Sequence, residues 1–364
     1  MSRLRVVLAP DAFRGSLGAP EVASALARGW SRARPDDEIV ELPLADGGEG
    51  TVDAFERAVA GSVRHAVLVT GPDGRPAQAP WLSLPDGSAV AELATASGLG
   101  LMATPAPHDA DSRGLGEVVR AALEAGATSV RVGLGGSAST DGGAGALVAL
   151  GARIVDSLGE SVARGNHGLT TAARVDLSGM VALPPGGVTL LVDVDSPLLG
   201  PHGAAAVFGP QKGASTDDVL ALERGLESFS SLVDVDPTTP GAGAAGGTAF
   251  GLLAWGARVV PGAAAVADAL ALSEVMAGAD LVVTGEGRFD EQTAAGKVVS
   301  QVRRRAADHD VPVVLVAGQI DASTSGFADA LATAQLAGDV GDSTTRASWW
   351  IEEAAARVAG RWGR

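Results

Sequence analysis

The chain has 364 residues, enough for two domains of ordinary size, each with its own apolar interior. Its 43 acidic against 27 basic residues give a formal charge of −16, the wrong sign for a general nucleic-acid or anionic-membrane binder, so an anionic ligand must be held locally. No apolar run approaches the ~18–20 residues needed to cross a bilayer, and the absence of cysteine removes disulfide scaffolds, thiolate nucleophiles and cysteine zinc sites together.

The N-terminus has no signal-peptide pattern and reads as a first strand over Leu4–Ala9, so the expected location is the cytoplasm. A helix over Glu21–Ala33, a strand over Ile39–Leu42 and a helix from Thr51 follow, an alternation typical of parallel α/β structure. From His65 the texture changes. Val67–Thr70, Trp81–Leu84 and Ala89–Leu93 are separated by Pro-Asp-Gly turns and read as antiparallel hairpins. A helix over Leu115–Ala125, a strand over Val130–Leu134, a helix over Ala144–Leu150 and a buried strand over Val188–Val194 come next. After the loop-like Pro237–Gly247, Leu281–Thr284 and Val313–Ala317 read as buried parallel strands, with helices from about Thr293 and from Ala347. The expected fold is therefore α/β with two domains. Residues 1–65 and 265–364 form a Rossmann-like or flavodoxin-like parallel-sheet domain, residues 66–264 an inserted α+β domain, and the active-site cleft lies between them.

Four loops share one grammar, in which a strand ends, small residues and acids follow, and a helix starts: residues 10–16, 46–51, 135–143 and 284–290. The loop with Gly135, Gly136, Ser137, Thr140, Asp141, Gly142 and Gly143 is the best phosphate cradle, since small residues expose successive N–H groups and hydroxyls add donors. A tight turn with Asp141 as helix cap is the competing reading. Residues 284–297 gather Glu286, Arg288, Asp290, Gln292, Thr293 and Lys297; carboxylates hold Mg²⁺ or accept a hydroxyl proton, and cations neutralise a transferring phosphoryl group. If Thr293 opens a helix, Lys297 lies one turn in. Asp193 stands at a strand end and Lys212 in a Gly-rich segment; Lys212 and Lys297 are the two lysines of the chain. A Walker P-loop and a Gly-x-Ser-x-Gly elbow are absent, and Gly241-x-Gly243-x-x-Gly246 follows prolines where a dinucleotide site needs a strand, so it reads as a flexible loop.

Together, APDAFRGSL (9–17), PLADGGEGT (43–51), GGSASTDGGAG (135–145), PLLGPHGA (197–204) with FGPQKG (208–213), and TGEGRFDEQT (284–293) with Gly296 and Lys297 resemble the glycerate kinase family. The family usually has Ser-Phe-Lys at Ala12-Phe13-Arg14 and Asn at Thr140, and the tail after Gly318 matches poorly. The resemblance implies ATP with Mg²⁺ and phosphorylation of a glycerate hydroxyl, commonly at C2. On that reading Asp290, Lys297, Arg288 and Asp193 are catalytic, with Asp290 and Asp193 on the metal and Asp290 either base or ligand. Asp11, Arg14, Ser16, Asp46 and Glu49 bind the substrate, whose carboxylate goes to Arg14 or Arg288. The 135–143 glycine loop, Lys212, Gly285 and Glu286 bind the nucleotide. The expected partners are glycerate and ATP, without nucleic acid or membrane, and a homodimer is a candidate assembly. A non-catalytic regulator that binds small organic acids, and a phosphatase using the same parts, are the competing functions.

Overall fold

The computed structural model describes residues 2–291 and 297–362, so the Thr293 helix start falls outside the described residues. The chain folds into two compact units, one of residues 1–46, 53–60 and 263–364, the other of residues 47–52 and 61–262.

The first unit is built on a parallel sheet in the order Asp329–Ala332, Val313–Ala317, Leu281–Thr284, Arg5–Leu8, Glu38–Glu41. Counted along the chain within this unit, the strands run 2-1-3-4-5, the flavodoxin-like order. Its central strands read as unbroken apolar runs because both faces are covered. In Val313–Ala317, Val314 and Val316 pack with Val22, Leu26, Trp30 and Ile351 on one face, while Leu315 and Ala317 pack with Phe289 and Val299 on the other. The helix Ala19–Ala33 opens with Pro20 in its first turn and buries Val22, Ala25, Leu26, Gly29 and Trp30, a stripe at helical spacing.

Arg34 and Asp37 clip this unit together. The guanidinium lies 2.5 Å from the buried carboxylate and also donates to the backbone carbonyls of Ser2 and Trp362, so it ties both chain ends to one point. Burial works to raise the pKa of Asp37, but hydrogen bonds from Arg34, Trp30 and the Leu4 amide outweigh it and hold the group below the usual carboxylate value. Arg34→Met leaves that carboxylate buried and unpaired and is expected to cost about 3–5 kcal/mol in urea unfolding. Because the folded pKa of Asp37 is depressed, its contribution is present above about pH 4 and is lost as acid titrates the group; a variant with wild-type stability would remove the clip.

The second unit carries a six-stranded mixed sheet. Val63–Thr70, Pro76–Ser83 and Ser88–Glu92 form the antiparallel hairpins expected from the turns, and from Ser88–Glu92 the sheet continues in parallel through Ser129–Gly133, Val188–Val192 and Arg258–Pro261. The segment Gly241–Gly247, read from the sequence as a flexible loop, instead packs into the core: Ala242 is fully buried, and a Cβ at Gly243 would collide with the Pro197 carbonyl.

Candidate active site

The switch point of the first unit lies between Arg5–Leu8 and Leu281–Thr284, whose C-terminal ends are knitted together. The Thr284 hydroxyl donates to the Ala9 carbonyl at 2.8 Å, and the Asp11 amide donates to the Gly285 carbonyl at 2.8 Å. A 370 Å³ cavity opens over this point, lined by Asp11, Arg14, Glu286, Arg288, Asp290 and Lys297 among others. Four of the five strands of this sheet end in its walls, since Gln319 and Thr333 follow the other two. Burial pushes the Asp11 carboxyl up to about 8, helped by the negative charges of Asp46 and Glu286 and opposed by the Ala12 amide and the Arg14 guanidinium. Arg14 itself donates to Asp46 at 2.6 Å. Because its side chain is mostly exposed, that pair positions the two groups more than it stabilises the fold.

The remaining residues expected at this site are placed less simply. Lys297 is not one turn into a helix; it is the N-cap of Val298–Ala307, with its carbonyl accepting from the Ser300 and Gln301 amides. Arg288 is exposed and paired with Asp321 at 2.7 Å, a partner that no local pattern announces. Ser16 spends its hydroxyl on the Phe13 carbonyl at 2.9 Å. Gly285 serves packing: a Cβ there would sit 1.8 Å from the Val316 carbonyl oxygen, so the neighbouring strand requires glycine whatever the ligand. The sequence reading missed Gln319, Thr333 and Ser343, which line the cavity from the segment after Gly318. Thr333 opens a helix directly after the strand Asp329–Ala332, without the run of small residues and acids that marks the four loops.

In the second unit the loop at 135–143 is largely its own ligand. Asp141 is fully buried, and its carboxylate accepts from the Ser112 amide and hydroxyl and from the Gly143 and Gly145 amides at 2.8–3.1 Å. It is therefore neither a simple N-cap nor a contact for an outside anion; it fills the donors at the start of the six-residue helix Ala144–Ala149. Lys212 is buried with its ammonium on the Ser137 hydroxyl at 2.7 Å and on the Ser139 carbonyl. Desolvation pulls its pKa down to about 7 against the attraction of Asp141. Thr140, Gly142 and Gly143 are also interior, and Asn166 holds the Thr140 carbonyl at 2.8 Å. What the loop presents outward is Gly135 and Gly136, with Ser137 just beneath. The 46–51 loop behaves alike: buried Glu92 accepts from the Gly50 and Val52 amides at 3.1 and 3.2 Å. Glu92, Ser112 and Asn166 were missed because each acts on a loop at least 26 residues away.

Of the aspartates singled out in the sequence, Asp11, Asp46 and Asp290 belong to the first unit, and Asp141 and Asp193 to the second. Asp11 and Asp290 line one cavity, and Asp46 acts directly on Asp11. Asp193 directly follows the strand Val188–Val192, and Glu49 is exposed in the second unit, two residues before the helix Thr51–Ala58.

Residues 6–363 match the model of the glycerate kinase family. A glycerate kinase from Bacillus subtilis (strain 168) is 42% identical over 327 residues, 87% of this chain and 85% of that protein. A glycerate 2-kinase from Escherichia coli (strain K12) is 42% identical over 328 residues, 87% of this chain and 86% of its own. A crystal structure from Salmonella typhimurium LT2, assigned as a glycerate kinase 2, superposes with a TM-score of 0.83 at 39% identity and covers 99% of this chain and 98% of that one. With a family match spanning nearly its whole length and relatives at 42% identity over most of theirs, the chain belongs to the glycerate kinase family.

Proposed function

We propose that this protein transfers the γ-phosphoryl group of ATP to a hydroxyl of glycerate, the C2 hydroxyl being favoured. The observation that carries the reading is the cavity at the switch point of the parallel sheet, where Asp11, Glu286 and Asp290 meet Arg14, Arg288 and Lys297. Phosphoryl transfer asks for little covalent chemistry from a protein; it asks for positioned anionic substrates, compensated charge and an oriented nucleophile. Arg14 and Arg288 provide guanidinium forks for the glycerate carboxylate, and Lys297 a compact ammonium for the migrating group. Asp290 orients the attacking hydroxyl and takes its proton, or serves as a ligand to the metal. The outward tip of the second unit, Gly136 and Ser137, offers an amide and a hydroxyl donor to a phosphate, while the Gly135 amide is taken by the Gly47 carbonyl at 3.3 Å. Behind that tip the Ser139 and Thr140 hydroxyls are buried without a partner among the described residues.

The residues fit Mg²⁺. The proton affinity of Asp11 is raised by burial and by Asp46 and Glu286, and a cation relieves the same repulsion. Among the described residues no group of three or more acidic or histidine side chains is arranged to hold a metal by itself. Mg²⁺ usually needs only one or two carboxylates besides substrate phosphates and water, and when bound it neutralises charge on the phosphate oxygens. The proposed setting is the cytoplasm, with a homodimer as assembly; no helix among the described residues is long and apolar enough to cross a membrane. The expected result with ATP, Mg²⁺ and D-glycerate is stoichiometric ADP, with the phosphorus resonance of the product on C2. No ADP release above the glycerate-free control would overturn the assignment.

A further inference from the structure

A second cavity of 340 Å³ in the same unit adjoins the first and shares Ser16, Thr344 and Ala347 with it. Its other walls include Leu17, Thr345, Arg346 and Trp349. The first cavity is walled by acids and cations; the second adds an indole and lacks carboxylates. Trp30, Trp81 and Trp255 are buried in the cores, whereas Trp349 is 45% exposed. It is also held in place. The Trp350 indole donates to Asp342 at 2.8 Å and meets Trp349 edge-on, with ring centroids 4.3 Å apart. The Arg346 guanidinium stands 4.6 Å from the Trp349 ring and 3.6 Å from Asp342. A fixed, half-open aromatic surface beside a cation is a poor feature for solubility and a good one for stacking a flat, π-bearing ligand. Glycerate has no such surface. A nucleotide does, and its length lets phosphates and base occupy adjoining cavities.

Resting on the kinase reading above, we propose that this second cavity is the nucleoside subsite of the phosphoryl donor, with the base stacked on Trp349 beside Arg346 and the phosphates reaching into the Asp11–Lys297 cavity past Ser16 and Thr344. The location was not legible in the sequence, because Thr344, Arg346 and Trp349 lie after Gly318, outside the loop motifs that carry the resemblance.

The test compares wild type with Trp349→Ala and Trp349→Phe, using ADP and inorganic pyrophosphate as ligands in equilibrium dialysis beside steady-state kinetics. Trp349→Ala should weaken ADP and raise the KM for ATP by about tenfold or more. Pyrophosphate affinity, the KM for glycerate and kcat at saturating ATP should be unchanged, and Trp349→Phe should restore most of the ADP affinity. Wild-type ADP affinity in the alanine variant overturns the subsite, as does an equal loss for pyrophosphate. A change of oligomeric state with ADP affinity intact also overturns it and makes the patch a protein interface. Should the alanine variant melt early, Trp349→Gln decides the same comparison. Wild type that makes no ADP from ATP and glycerate sinks the kinase reading itself, an outcome distinct from these.

Discussion

Lys297→Ala is expected to lower kcat by about 10²–10³ while unfolding near the wild-type temperature. The ammonium is carried on a residue whose backbone caps Val298–Ala307, and the cap hydrogen bonds run from the Ser300 and Gln301 amides to the Lys297 carbonyl, which alanine keeps. The substitution therefore removes a cation from the cavity without removing the helix start. If Lys297 were only a solvated surface group, the change would lie within about 0.5 kcal/mol of stability and leave turnover intact. Asp290→Asn gives the companion measurement: loss of a base or metal ligand also falls on kcat, and a variant with retained melting temperature and wild-type turnover would return Asp290 to a structural role. Because groups acting on one transition state are non-additive, the double variant should be little worse than the poorer single one.

Asp11→Asn is expected to lose at least about 10² in kcat/KM and to become more stable than the wild type at alkaline pH in the absence of nucleotide and Mg²⁺. Both effects have one cause. The Asp11 carboxyl is pushed up to about 8 by burial and by the Asp46 and Glu286 charges. A group whose folded pKa is raised contributes stability that is fully present below its ordinary value of 3.8 and is lost as pH rises through about 8. The wild-type melting temperature should thus decline between pH 4 and 9 relative to the asparagine variant, whose amide carries no charge. Below pH 8 a proton competes with a cation for the same oxygens, so Mg²⁺ with ADP should stabilise the wild type more at pH 8 than at pH 6. Parallel melting curves for the two proteins across this range would show that Asp11 does not face the other carboxylates as described.

Alanine-scale substitutions in the 135–143 loop should be read with its interior in mind. Asp141 and Lys212 each satisfy buried groups of the loop, so their loss mixes folding with binding, whereas Arg14 and Lys297 can be removed with little disturbance of the cores.

The sequence by itself determined what is local. Leu281–Thr284 and Val313–Ala317 are read to the residue, because strands covered on both faces must be continuously apolar, and the helix Ala347–Ala359 starts where its pattern starts. The loop motifs, each a contiguous run, were enough to identify the family, since the chemistry they carry requires small residues and charges at fixed spacing. Only the tertiary structure decided which charges act on one another. Asp11 meets Glu286 because Arg5–Leu8 pairs with Leu281–Thr284 across 275 residues, and that register is set by sheet order rather than by either strand's own periodicity. The same holds for glycine: from sequence a cluster of glycines looks like backbone approaching a ligand, yet Gly285 is fitted to the Val316 carbonyl, and the Gly143 and Gly145 amides are taken by Asp141. An amide buried in a loop must find an acceptor, and whether that acceptor is a substrate or the protein's own carboxylate depends on distant residues brought alongside by packing.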